Sequence, residues 1–233
     1  MRAHSSRNWG DYATGAVPHQ RDPRDYRMEH IPGVAAQAEI GVPDAYTLAP
    51  LIKSIYTQGT IPCCVMASIA LMESIQDQID RGAWRVYEFL EAYHSVGGNG
   101  REGVPARAAL EYAQDTGLRV VGRQARHRIA SYHFAPQEPE AFVSTLKASL
   151  AANRPCILAC RLPSKFGWDS AGPRTPAYHQ LCLIGYDPAN AIVANSWGNG
   201  WGRYGLGRIP WDFLLADNLQ NGDTYSYTAT DTP

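Results

Sequence analysis

Net charge is nearly absent. The 21 Lys and Arg oppose 22 Asp and Glu in 233 residues, which leaves −1 and no bulk field to draw nucleic acid or an anionic membrane. No apolar run is long enough to span a bilayer, and residues 1–30 hold no secretory core, so neither a membrane partner nor a signal is expected. Spaced cysteine pairs are also missing. Cys63, Cys64, Cys156, Cys160 and Cys182 are odd in number and three lie in apolar runs, which reads as reduced thiols in a cytoplasmic-type, reducing compartment. No Cys/His spacing suits zinc, so no metal and no cofactor are expected. His4, His19, His30, His94, His127 and His133 have no motif around them and read as surface or structural residues. Internal repeats and low-complexity segments are absent.

What remains suits one two-lobed domain large enough for its own core. Residues 1–44 are rich in Arg, Asp, Pro, Gly and His and read as an arm, partly extended or disordered. Residues 45–233 form the domain, helical over about 57–118 and strand-rich over about 119–233. Apolar residues at 65, 69 and 72 and at 72, 75 and 79 predict a buried helix from Cys64 to about Arg81, ended by Gly82. Further helices are expected over 86–94, 104–115 and 138–153, and strands over 119–121, 129–134, 156–162, 179–186, 191–196 and 206–209. Residues 163–178 read as a loop too long for a mere connection, and so as one that serves a site. A helical half followed by a strand-rich half is α+β.

Three stretches carry chemistry. Gln58-Gly59-Thr60-Ile61-Pro62-Cys63-Cys64 ends a polar turn in a cysteine at the start of the buried helix. The partial positive charge of a helix N-terminus favours the thiolate, which is the nucleophile. The second stretch is Tyr178-His179-Gln180-Leu181-Cys182-Leu183-Ile184-Gly185-Tyr186. The third is Asn195-Ser196-Trp197-Gly198-Asn199-Gly200-Trp201-Gly202. Taken singly, each residue has an ordinary reading: a polar glutamine in a turn, a structural histidine on a strand, tryptophans in a core. Order and spacing raise them above it.

Together these motifs resemble the papain-like cysteine peptidases, over about residues 45–215, and are similar to prokaryotic and viral members without a long pro-segment. The resemblance implies a two-lobed fold with the site in the cleft between lobes. It implies an endopeptidase acting on a peptide or protein substrate. Gln58, six residues before Cys64, matches the family's spacing; His179 follows Cys64 by 115 residues and Asn195 follows His179 by 16. By resemblance Cys64 is the nucleophile and His179 its base and acid, paired as thiolate and imidazolium. Asn195 orients the imidazole, Trp197 covers that contact, and Gln58 donates to the oxyanion. Substrate backbone would run along Gly103, with Glu102 attracting a basic residue, and a pocket would draw on Ala159 and Tyr178. Phage or secretion-apparatus settings fit so compact a relative.

Departures from the family stand at the nucleophile. Ile61 replaces the usual disulfide cysteine, Val65 the usual tryptophan, and Cys63 a small residue. Two other readings remain: a cell-wall peptide hydrolase, and a papain-like binding or structural module of reduced activity.

Overall fold

The computed structural model describes residues 12–18, 20, 22–216, 219 and 223–231. The disorder expected at the very start falls on residues 1–11, outside that set. Residues 12–18 belong to no helix or strand, but the arm also holds a helix that its composition hid. A short 3-10 turn, Met28–His30, leads into α1, Pro32–Ile40. Pro32 suits a first helical position because its missing N–H would have been unbonded there anyway. Met28, Ile31 and Val34 are buried, and α1 packs on α5, Pro139–Ala151.

The central element is α2, Cys64–Arg81, closed by Gly82 at φ 63°. Its residues from Cys64 to Asp77 are buried, as expected of a helix enclosed on every side. Helices α3, Phe89–Ser95, and α4, Ala106–Asp115, pack against it.

The strand-rich lobe is one antiparallel sheet. Its strands are β1, Tyr46–Thr47; β4, Ile129–Phe134; β5, Cys156–Lys165; β6, Ala171–Tyr186; β7, Asn190–Ala194; β8, Leu206–Pro210; and β9, Tyr225–Asp231. The order is β4-β9-β5-β6-β7-β8, with β1 added on β6. A separate pair joins β2, Leu118–Arg119, to β3, Arg126–His127. The C-terminal strand β9 thus lies between β4 and β5, where no local pattern foretold it.

One expectation is corrected. Residues 163–178 are not a loop: β5 and β6 continue as a ribbon, pairing Pro163 with Arg174 and Lys165 with Ala171. Register shifts on either side of Pro163 absorb the missing ladder donor. The tip still reaches the site, since the Phe166 ring lies 4.7 Å from Trp201 and 5.7 Å from Trp197.

A buried ionic network ties the far half of α2 to β9. Asp77 holds Arg81 at 2.7 Å and Arg85 at 3.4 Å and accepts from the Tyr87 hydroxyl. His127 Nε2 lies 2.9 Å from Glu73 and 3.0 Å from Asp231, and Arg81 bonds Asp231 at 3.0 Å. His127 is therefore the structural histidine its lack of a motif suggested.

Candidate active site

Backbone pairing assembles the three motif stretches. Gln58 N–H donates to the Ser196 carbonyl at 2.8 Å, Gly198 N–H to the Tyr56 carbonyl at 3.1 Å, and Thr57 bridges Trp197. This lays the segment before the nucleophile beside the Asn195-Ser196-Trp197 turn. Strand β6 runs next to β7 and carries His179 toward the same turn.

His179 Nε2 is 2.8 Å from Asn195 Oδ1, and the same oxygen accepts the Ser196 N–H at 2.8 Å. An amide oxygen only accepts, so Nε2 carries the proton, and a neutral ring keeps its lone pair on Nδ1. That Nδ1 is buried and has no hydrogen-bond partner among the described residues. Trp197 stacks on the His179 ring with centroids 4.7 Å apart, covering the contact with Asn195.

Cys64 is the first residue of α2 and is fully buried. Its sulfur accepts from the backbone N–H of Gln180, the residue after His179, and from that of Gly15. For Cys63, the cap residue, no such donor from the histidine segment is found among the described residues. The nearer neighbour of the histidine segment is therefore Cys64. All five cysteines are free and buried.

Gln58 is also fixed. Its Oε1 accepts from Ser196 Oγ at 2.5 Å, which turns its Nε2 toward the Ala13 carbonyl at 3.3 Å and the Ile61 carbonyl at 2.8 Å. Trp197 Nε1 donates to the same Ala13 carbonyl at 3.1 Å.

Residues 12–17 occupy the cleft. Tyr12 stacks on Trp197 at 4.7 Å, Ala16 N–H donates to the Tyr178 carbonyl at 3.3 Å, and Val17 O accepts from the Tyr225 hydroxyl at 3.2 Å. A Cβ on Gly103 would lie 1.5 Å from the Gly15 carbonyl oxygen, and one on Gly15 would lie 2.3 Å from that of Pro62. Glycine at both positions is what lets these backbones meet.

With water excluded, burial pushes the Cys64 thiol up to about 11 and the His179 ring down to about 4, the Asn195 contact offsetting only part of the latter. Burial thus works against the thiolate–imidazolium pair that the resemblance implies. Desolvation of both charged forms outweighs the backbone donors at the helix start.

The other predicted residues are dispersed. Gly103 and Tyr178 meet the arm's backbone. Glu102 is exposed, its carbonyl accepting from Tyr93. Ala159 is buried in β5, in register with Gln180 and Tyr225. Tyr225, Ser196 and Gln180 escaped sequence reasoning, as did the particular contacts of Ala13–Ala16, although an arm rich in Arg and Asp is one that can lie near the groove. Of the three residues only Ser196 had a signal, its place inside the Asn-Ser-Trp motif. Away from the cleft, Glu73, His127 and Asp231 bring three ligand-type atoms within 4.8 Å. The His127 hydrogen bonds and Arg81 already balance the charge of that cluster. No helix among the described residues is long and apolar enough to cross a membrane.

No family model matches this sequence. No curated protein matches it either. Solved structures do. Xylellain, a cysteine protease from Xylella fastidiosa, aligns at TM-score 0.75 and 16% identity over 96% of this chain and 97% of its own. The procathepsin B S9 of Trypanosoma congolense aligns at 0.74 and 15% over 95% and 87%. The Carica candamarcensis cysteine protease CMS1MS2, solved in complex with E-64, aligns at 0.66 and 15% over 82% and 100%. The two-lobed α+β architecture of this chain is the papain-like cysteine protease fold.

Proposed function

We propose that the protein is a thiol-dependent endopeptidase whose cleft is closed, in this state, by residues 12–17. The observation that carries the reading is the oriented His179. Its Nε2–H is committed to Asn195 and its Nδ1 has no partner among the described residues, while the following residue's N–H faces the Cys64 sulfur.

The chemistry follows from these atoms. Nδ1 of His179 takes the Cys64 proton, and the thiolate attacks the substrate carbonyl carbon. The oxyanion is met by Gln58 Nε2, which holds the Ala13 carbonyl here, and by the Cys64 N–H. The imidazolium returns its proton to the leaving amine as the C–N bond breaks, which leaves a thioester. Water, losing a proton to Nδ1, then attacks that thioester; the thiolate departs and is reprotonated. Asn195 keeps Nε2 protonated throughout, and Trp197 shields the contact. Latency is part of the proposal: the Ala13 carbonyl, the Gly15 N–H and the Ala16 N–H take up groups a substrate would need.

The test is incubation with an E-64-type epoxide under reductant, with the adduct located by mass spectrometry. A single adduct on Cys64, slowed at least a hundredfold in His179→Ala, is expected. An adduct on Cys63, or none after prolonged exposure even in Gly15→Val, where the arm cannot seat, would end the reading.

A further inference from the structure

Resting on the reading of Cys64 and His179 as the reacting pair, we propose that Gln180 is a positioning residue: it fixes the first turn of α2 against β6 and so sets the nucleophile against its base.

Gln180 is fully buried, directly after His179 in β6. Successive strand side chains point to opposite faces. His179 accordingly meets Asn195 and Trp197, while the Gln180 amide meets a different set. Its Nε2 donates to Tyr227 at 2.6 Å and to Ser68 Oγ at 3.0 Å, and lies 3.3 Å from the Val65 carbonyl. Its Oε1 lies 3.4 Å from the Tyr225 hydroxyl, which is shared with the Val17 carbonyl. Ser68 Oγ in turn donates to the Cys64 carbonyl at 2.7 Å. One residue thus grips the helix turn that bears the nucleophile through its side chain. It contacts the Cys64 sulfur through its own N–H and is covalently bound to the base.

An apolar side chain would fill this space without needing four partners. Dispersion contacts are non-directional and let a helix slide by fractions of an ångström. A buried amide holds only where its partners sit, because an unmade hydrogen bond there is costly. Proton transfer from thiol to imidazole depends on that registry, since heavy atoms must come within hydrogen-bond reach.

The experiment follows alkylation of Cys64 by iodoacetamide in the full chain from pH 5 to 10, with melting temperature measured alongside. Every variant here is made in a Gly15→Val chain, in which the arm is lifted from the cleft; in that parent the neutral-pH component should depend on His179. Gln180→Met, close in volume and without the amide, should lower that component at least tenfold. Adding His179→Ala should then cost little more, because the pair is already uncoupled. Ser68→Ala and Tyr227→Phe, each removing one hydroxyl with little loss of volume, should shift the profile in the same direction by less. These two variants decide the matter if Gln180→Met does not fold.

A lowered melting temperature with a pH profile superimposable on the parent's would assign Gln180 to the core alone and overturn the proposal. A parent profile with no His179-dependent component would instead strike the reacting-pair reading, and this proposal with it.

Discussion

At the scale of single residues, the site is built from groups that each hold one other group in place. Ser196 holds Gln58 by its oxygen so that the amide nitrogen is left to donate. Asn195 holds His179 by one nitrogen so that the other is left to accept a proton. Gln58→Ala should lower kcat for peptide hydrolysis 10²–10³-fold, about 3 kcal/mol of barrier, when assayed in a Gly15→Val background with the cleft clear. Alkylation of Cys64 forms no oxyanion, so its rate should not fall in the same variant. Equal losses in both measurements would remove Gln58 from the oxyanion site. Gln58, Cys64, His179 and Asn195 were legible because each sits in a short motif at a set distance from the next. Tyr225 and Gln180 were not, because what makes them matter is a contact with α2 or with the arm, far away in the sequence.

At the scale of elements, α2 is held at both ends. Its start is stitched to β6 and its second half to β9 through Glu73, His127 and Asp231. Burial works against a charged His127, but the Asp231 and Glu73 hydrogen bonds outweigh it and hold the ring up at about 10. Between the unfolded value near 6.5 and about 10, the folded protein keeps a proton that the unfolded chain has lost. Stability therefore falls as pH rises through that window. Burial also pushes Glu73 up to about 7, which acts in the same sense but over the lower window from about 4.5 to 7. For Asp231, burial raises but the His127 and Arg81 bonds prevail and hold it below the usual carboxylate range, so that contribution is lost only in acid. His127→Gln should cost on the order of 3 kcal/mol at pH 7, read from urea unfolding, because it leaves the buried Glu73 without its cation. The variant's stability should also be flatter between pH 7 and 9 than the parent's. Helix α2 was readable from its apolar period and Gly82. The β5–β6 ribbon was not, because Pro163, Pro173 and Pro176 imitate a loop, and only cross-strand pairing shows them to be strand.

At the scale of the whole molecule, the arm and the cleft form one closed surface. Gly15 is its tightest point, between Pro62, Gly103 and the Cys64 sulfur. Gly15→Val places atoms where the Pro62 carbonyl stands, so the arm must lift. In the parent, Cys64 alkylation at pH 7 should be slow and should climb with pH, as suits a thiol held up at about 11. In Gly15→Val the profile should move to lower pH and the neutral rate rise at least tenfold, because readmitted water removes the desolvation of thiolate and imidazolium. Identical profiles would mean that the arm does not govern the thiol. The sequence by itself determined the chemical inventory, the helix that presents the cysteine and the α+β class, since motif spacing and apolar period are local properties. Only the tertiary structure decided that β9 enters the middle of the sheet, that Gln180 joins strand to helix, and that the arm lies over the thiol. Each of those depends on chain segments brought together across long separations, and on the water that their meeting drives out.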